Sequence, residues 1–153
     1  MEGLESKNLF KIMWLPEELL IVWNMSDESQ VSLDSYIYQA LNNYIDLKQW
    51  SIDYSRLYKK WLSEGLNDIY DLSHDVNLRI LKAIGKVNDE LKPDSIVFYW
   101  YDKDRTYDSE NSSWTKSPIS GDTLVDLDNN YHYLNRLVSL KDYLVFPKYP
   151  NPS

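Results

Sequence analysis

The chain has 153 residues, no cysteine and a formal net charge of −8, from 24 acidic and 16 basic side chains. This length suits one compact domain, and the lack of cysteine excludes disulfides, iron–sulfur clusters and zinc–thiolate sites. Because nucleic acids and anionic membranes are bound largely through lysine and arginine, the acidic surplus argues against direct contact with either. The charge favours a basic protein as partner.

The segment from residue 9 to residue 23 is predicted to form two strands. Residues 9–15 and 19–23 are short apolar runs, and the second is partly β-branched, which is typical of buried strands. A helix remains open here, because Pro16 followed by two glutamates is also a common helix start.

Two helices are predicted next. The first is capped by Ser32 or Asp34, and its apolar residues recur between positions 36 and 45 at helical spacing. The second begins near Ser51 and falters at Gly65. Its inward face is expected to carry Tyr54, Leu57, Tyr58, Trp61 and Leu62.

A third helix and the strongest strand of the chain follow. Apolar spacing predicts a helix over residues 75–91, which Pro93 then prevents from continuing. Gly85 inside this helix is expected to mark a close packing contact. Residues 95–101 are β-branched and aromatic throughout, which predicts a central strand covered on both faces.

The C-terminal third is predicted to be less regular. Residues 102–113 form a polar loop, and a short strand is expected at Leu124 and Val125. A last helix is predicted from a cap at Asp128 or Asn129. It would carry Leu134, Leu137, Val138 and Lys141 at helical spacing. Residues 143–146 are expected to close the domain as an edge strand.

Together these elements predict an α+β fold in which helices dominate and a small sheet is built around strand 95–101. No proline-rich or Gly/Ser-rich linker divides the chain, so residues 1–146 are expected to form a single compact domain. Residues 147–153 contain three prolines and are expected to form an extended C-terminal tail.

Acidic residues are concentrated in the first half of the chain. Residues 1–76 carry six Lys or Arg against thirteen Asp or Glu, a net −7, whereas residues 77–153 carry ten against eleven, a net −1. Four carboxylates of the first half are spaced by four, three and four positions: Glu64, Asp68, Asp71 and Asp75. They share one side of a helix if the backbone stays helical through Gly65.

This acidic row has three interpretations. It can be an ordinary solvated face, a surface that binds a partner, or a divalent-metal site. A straight helical row does not converge as calcium ligands do, so no metal is assigned. Because like charges at this spacing repel each other, a cationic partner would stabilise the row.

The sequence carries no recognisable catalytic or cofactor motif. The loop 102–113 resembles a calcium loop only superficially, since Tyr107 occupies its glycine position and Ser113 its final glutamate position. His74 and His132 are the only histidines, and nothing in the sequence supplies either with a nucleophile or an orienting group. No catalytic residue, metal or cofactor is therefore predicted.

Aromatic residues supply the remaining candidates for recognition. The chain has 6 Trp and 13 Tyr, and exposed Trp and Tyr commonly anchor protein interfaces or stack on sugars. Trp50, Tyr107 and Trp114 lie near predicted element ends or in loops. The predicted partner-binding set combines the acidic row with Trp61, Tyr107 and Trp114.

These observations predict a small cytoplasmic inhibitor that acts like a bacterial immunity protein or antitoxin. An acidic, aromatic-rich domain of this kind would cover the cationic site of a basic toxin such as a nuclease, with rapid electrostatic association. One alternative is a phage- or host-encoded accessory module that binds another macromolecule. A second alternative is a small enzyme that uses His74 or carboxylates.

Overall fold

A computed structural model describes residues 7–92, 94–102, 114–127 and 136–147. In this part of the chain, three helices and a six-stranded mixed sheet form an α+β fold. The predicted fold class is confirmed, since 38% of the described residues are helical and 22% lie in strands. The predicted polar loop beyond Asp102, the tail beyond Pro147 and the start of the last helix lie outside the described residues.

The helices are α1 (Tyr36–Asn42), α2 (Leu47–Glu64) and α3 (Asp75–Leu91), with a 3-10 helix (Asp68–Tyr70) between α2 and α3. The strands are β1 (Asn8–Ile12), β2 (Val22–Asn24), β3 (Ser95–Trp100), β4 (Val125–Asp126), β5 (Arg136–Ser139) and β6 (Leu144–Pro147). The order across the sheet is β2-β1-β3-β6-β5-β4, with β1, β3 and β6 parallel to one another. These three strands therefore end at the same edge of the sheet.

The strands predicted in the first two thirds of the chain are confirmed. β1 and β2 pair in antiparallel fashion, with Ile12 opposite Val22. β3 lies in the interior of the sheet, as predicted for residues 95–101. Its side chains alternate between two apolar clusters: Val97 packs with the helices, whereas the fully buried Phe98 packs on the opposite face.

Both early helices are present, but their first residues differ from the prediction. Ser35 caps α1, because its Oγ accepts a hydrogen bond from the amide of Ile37 at 3.3 Å. α2 begins at Leu47, one turn before the predicted start, because the carboxylate of Asp46 accepts from the amide of Gln49 at 3.1 Å. The expectation that Leu62 faces inward is wrong, since that side chain is 61% exposed.

Because α2 begins at Leu47, Trp50 lies within the helix and in the core, whereas it was predicted to lie near the end of an element. Its ring is fully buried, and its Nε1 donates to the carbonyl of Val76 at the start of α3, at 2.9 Å. α3 has the predicted bounds. The close packing contact expected at Gly85 is absent among the described residues, because a methyl group added there would meet no atom within 4 Å beyond its chain neighbours and the backbone of its own helix.

The C-terminal predictions need two corrections. Residues 136–139 form strand β5, so Leu137 and Val138 are not helical as predicted. Both residues are buried, and they pack in the two apolar clusters on opposite faces of the sheet. Consecutive apolar side chains therefore occur here because both faces of the strand are covered. The strand predicted at 143–146 exists as β6, but it lies between β3 and β5, away from the sheet edge.

A buried asparagine of α3 completes the hydrogen bonding of β3. β6 pairs with β3 only at Tyr99 and Trp100, which leaves Val97 without a strand on that side. Asn88 supplies the missing partner: its Nδ2 donates to the Val97 carbonyl at 2.9 Å, and its Oδ1 accepts from the Val97 amide at 2.7 Å. The contact fixes α3 against the middle of the sheet.

Within the described ranges, none of the three helices is long and apolar enough to cross a lipid bilayer.

Candidate binding cleft

A cleft of about 280 Å³ opens at the edge of the sheet where β1 and β3 end. Its walls come from the connection after β1, from α2, from the 3-10 helix and from the residues that follow β3. Eight of its thirteen lining residues are aromatic: Trp14, Tyr54, Tyr58, Trp61, Tyr70, Tyr99, Trp100 and Tyr101. The carboxyl edge of parallel strands is also where open α/β sheets place their ligands.

The main wall is one face of α2. Tyr54, Tyr58 and Trp61 follow at spacings of four and three, which aligns their rings along the helix. Trp14 packs across them, with its ring centroid 5.2 Å from that of Tyr54 and 5.1 Å from that of Tyr58. Trp61 meets the ring of Tyr70 at 6.1 Å and nearly at a right angle. The rings therefore support one another from three separate parts of the chain.

The 3-10 helix that carries Tyr70 is held in place by a buried asparagine of α3. The Nδ2 of Asn77 donates to the carbonyls of Ile69 at 3.2 Å and Asp71 at 2.8 Å. Its Oδ1 accepts from the hydroxyl of Tyr99 on β3 at 2.6 Å. This wall is thus tied to both α3 and the sheet, which makes the cleft a preformed feature.

The tyrosines at the floor of the cleft remain neutral. Burial raises the pKa of Tyr101 to about 12, and the nearby negative charge of Asp71 adds to the effect. Burial likewise raises the pKa values of Tyr54 and Tyr99. Because Tyr101 also donates its hydroxyl proton to the carbonyl of Tyr70 at 2.9 Å, the floor offers uncharged aromatic surface rather than phenolate.

Negative charge borders this aromatic surface. Asp102, which follows β3, is the one charged residue among those that line the cleft in the described part of the chain. Asp68 and Asp71 lie at the two ends of the segment that contributes Ile69 and Tyr70 to the lining, and both are exposed. The cleft is therefore aromatic inside and acidic at its margin.

The predicted acidic row does not exist as one helical face. α2 ends at Glu64, because Gly65 adopts the left-handed conformation with φ of 68° and caps the helix. Asp68 then begins the 3-10 helix, and Asp75 begins α3. The condition for a single helical face, a backbone that stays helical through Gly65, is not met, so the carboxylates are distributed over three elements.

Two of these carboxylates have local structural partners. Asp71 accepts from the amide and the hydroxyl of Ser73 at 2.9 and 2.6 Å, and these bonds lower its pKa. Asp75 pairs with Arg79 at 2.8 Å, one turn along α3. Arg79 also binds Asp53 at 2.8 Å. Asp75 is therefore the acid of the row that is least available to a partner.

The structure brings some of the predicted recognition residues together. Trp61 lines the cleft, and the ring of Trp114 packs 6.0 Å from that of Tyr101 on the cleft floor. Glu64 is exposed at the end of α2, and Tyr107 lies outside the described residues. Trp14 and Tyr70 also line the cleft but were not among the predicted recognition residues, because they reach it only through tertiary packing.

A second aromatic site lies beside the cleft and is filled by the chain's own cations. Lys11 is 1% exposed, and its Nζ lies 4.5 Å from the ring centroid of Trp100. The guanidinium of Arg136 lies 4.9 Å from the same ring. Both cations bond to Glu28, with a distance of 2.6 Å for Lys11. One ring, two cations and a carboxylate thus form an internal cluster, here called the Trp100 cluster.

The Trp100 cluster shifts the ionisation of its members. Burial lowers the pKa of Lys11, and the hydrogen bond to Glu28 opposes that shift. Burial by itself would raise the pKa of Glu28, but the bonds from Lys11 and Arg136 outweigh it and leave that pKa lowered. The carboxylate is therefore charged at neutral pH.

The remaining candidates for chemistry are the carboxylates and the two histidines. Among the described residues, no group of three or more His, Asp or Glu side chains could hold a metal ion. His74 caps α3, since its Nδ1 accepts from the amide of Val76 at 3.2 Å. His132 lies outside the described residues.

The chain matches no protein-family model, no curated protein and no solved structure. Function is therefore argued from the cleft and its charges.

Proposed function

We propose that this protein is an acidic inhibitor that binds a basic protein, such as a nuclease toxin, with the aromatic cleft at the centre of the interface. The observation that carries the proposal is the cleft itself, with eight aromatic residues in its lining and carboxylates at its margin. Tyr and Trp are enriched among the residues that dominate binding energy, and they act best in preformed pockets.

The two properties of the site have separate roles in the proposal. The net charge of −8 attracts a cationic surface and speeds encounter, an effect that falls as salt rises. The half-buried rings of Trp14, Tyr58 and Trp61 then provide the apolar area that slows dissociation. Charge without such rings would give fast but weak contact.

The predicted recognition residues take graded roles. Trp61 is the central anchor, since its ring forms part of the cleft wall. Asp68 and Asp71 contribute charge at the margin, and Glu64 extends that charge to the end of α2. Asp75 contributes less because Arg79 neutralises it. Trp114 supports the floor, and a role for Tyr107 stays a prediction.

Affinity capture with matched variants tests the proposal. The wild-type chain, Trp61→Ala and Leu62→Ala are immobilised and exposed to lysate of the source cells. Leu62 is the matched control, because it neighbours Trp61 on α2 but is exposed and does not line the cleft. We expect the wild type and Leu62→Ala to retain the same basic protein, and Trp61→Ala to lose it.

Activity of the captured protein separates an inhibitor from an accessory module. If the proposal is right, addition of the purified chain suppresses the partner's activity, and inhibition is complete at a defined molar ratio of chain to partner. Binding that depends on Trp61 but leaves the partner fully active would instead favour the accessory module. Capture of no basic protein, or of one that Trp61→Ala also retains, would contradict the proposal.

A further inference from the structure

We infer that the outward side of α2 is a second recognition surface, which binds a short acidic segment of a protein. The inference goes beyond the proposed function, because this surface lies on the side of α2 that faces away from the cleft and carries the opposite charge. The surface is called the α2 cationic face here, and its members are Lys48, Ser51, Ile52, Ser55, Arg56, Lys59 and Lys60.

Positive charge of the acidic half of the chain is concentrated on this face. Residues 1–76 carry six Lys or Arg, and four of the six belong to α2: Lys48, Arg56, Lys59 and Lys60. All four side chains are exposed. The face therefore differs in sign from the molecule as a whole, whose net charge is −8.

The helical period places these cations away from the core. At about 100° per residue, the four cations fall within about a third of the helix circumference. The buried residues of α2, namely Leu47, Trp50 and Leu57, fall on the opposite side. A ligand can therefore reach the cationic face without contact with the aromatic wall of the cleft.

Most of these cations are not neutralised by the chain itself. Arg56 is 71% exposed and lies 3.6 Å from Asp53, whose carboxylate binds Arg79 more closely, at 2.8 Å. Among the described residues, the other three cations have no ion-pair partner, namely Lys48, Lys59 and Lys60. The face is therefore open to carboxylates from outside.

An open depression of about 340 Å³ lies on the face and is lined by Ser51, Ile52, Ser55, Arg56 and Lys59. Neither of its two serine hydroxyls has a hydrogen-bond partner within the described ranges. Hydroxyl, guanidinium and ammonium groups can all donate to a carboxylate, and the bonds from charged donors are the stronger ones. The depression thus offers several donors to one acidic side chain.

The length of the face favours a short anionic segment over a long polyanion. Lys48 and Lys60 lie about 18 Å apart along the helix. Exposed carboxylates lie beyond both ends, with Asp46 at one end and Glu64 and Asp68 at the other. A nucleic acid or an anionic bilayer would extend past the cations and be repelled by these carboxylates. An extended acidic segment of about six residues spans the cations alone.

Short probes of defined charge test the inference. They are an acetylated, amidated Gly-Asp-Glu-Asp-Glu-Asp-Gly peptide, the same peptide with Asn and Gln in place of its acids, and a single-stranded oligonucleotide of equal charge. Binding is followed at low salt by NMR of the backbone amide signals of α2. We expect a dissociation constant on the order of 1 mM for the acidic peptide and about tenfold weaker binding of the neutral peptide.

Protein variants locate the binding on α2. Lys59→Gln/Lys60→Gln should weaken binding of the acidic peptide about fivefold. The matched control is Lys116→Gln/Lys141→Gln, which removes two exposed cations outside α2 and changes the net charge equally. This control should bind nearly as tightly as the wild type. Equal weakening by the two double variants would overturn the inference, because binding would then follow net charge alone.

The probes themselves supply the remaining outcomes. No binding of the acidic peptide to the wild type, or equal binding of the neutral peptide, would overturn the inference. Tighter binding of the oligonucleotide than of the acidic peptide would also overturn it, since the face would then recognise phosphates rather than a protein segment.

The two proposed surfaces can be tested separately. Trp61→Ala should bind the acidic peptide as the wild type does, and Lys59→Gln/Lys60→Gln should still retain the captured basic protein. If capture depends on Trp61 but the acidic peptide does not bind, the α2 cationic face is wrong and the inhibitor proposal stands. If the acidic peptide binds but no basic protein is captured, the α2 cationic face stands and the inhibitor proposal is wrong.

Discussion

The rings of Trp100 and Trp61 lie in neighbouring parts of the molecule but have different surroundings. Trp100 has two cations of the same chain against its ring and a carboxylate that binds both. Among the described residues, the ring of Trp61 packs with the rings of Tyr58 at 5.9 Å and Tyr70 at 6.1 Å. The first ring binds cations of the chain itself, whereas the proposed function assigns the second ring to a partner.

Replacement of each tryptophan by alanine is expected to show the largest difference between the two rings. Trp100→Ala should destabilise the protein by about 3 kcal/mol, because it removes the ring against which the buried Lys11 lies. Trp61→Ala should cost only about 1 kcal/mol, since its ring lies at a cleft wall. Urea denaturation measures both values. Equal losses for the two variants would contradict the assignment of separate roles.

Removal of the Glu28 carboxylate tests its role in the Trp100 cluster. Glu28→Gln should destabilise the protein by about 2 kcal/mol, because the buried Lys11 then loses the carboxylate with which it pairs. This figure is below that for a fully buried pair, since the Glu28 side chain is 44% exposed. As a control, Asp89→Asn, which removes the exposed pair with Lys92, should leave the urea midpoint unchanged.

The same carboxylate predicts an acid dependence. The pKa of Glu28 is lower in the folded state than its ordinary value of 4.5, so its contribution is present above that pH and is lost as pH falls below it. The loss of stability between neutral pH and pH 3 should be smaller in Glu28→Gln than in the wild type. Parallel acid profiles for the two proteins would contradict the role of Glu28.

Tyr101 in the cleft floor leads us to expect a smaller effect of alkaline pH on the free energy of unfolding. The pKa of Tyr101 is about 12 in the folded state and 10.0 as a model value, so above pH 10 the unfolded chain loses this proton first. Its contribution is full below pH 10 and falls as pH rises, by about 1 kcal/mol at pH 11. Tyr101→Phe should show a correspondingly shallower alkaline loss in urea titrations. An unchanged slope would mean that Tyr101 ionises readily in the folded protein.

The sequence predicted the elements whose pattern is strong and local. α3 and β3 follow from a clear helical period and a β-branched, aromatic run. The prediction of a helix at β5 is wrong because two adjacent buried residues, Leu137 and Val138, also satisfy a helical spacing. Only the pairing of β5 with β6 decides between a helix and a strand here, and such pairing cannot be recognised from the local sequence.

The candidate cleft was only partly predictable for the same reason. The spacing of Tyr54, Tyr58 and Trp61 correctly identified one face of α2, although the prediction placed that face in the core. Trp14 reaches these rings because β1 lies parallel to β3, a contact between segments more than eighty residues apart. The interruption at Gly65 was visible in sequence, and it does end α2.

The most direct test of the central claim is capture of a basic protein by three immobilised proteins: the wild type, Trp61→Ala and Leu62→Ala. The account predicts that the wild type and Leu62→Ala retain the same basic protein and that Trp61→Ala loses it, since Trp61 lines the cleft and Leu62 does not. Equal retention by all three proteins would contradict the claim, because binding would then come from the overall charge of −8 rather than from the cleft.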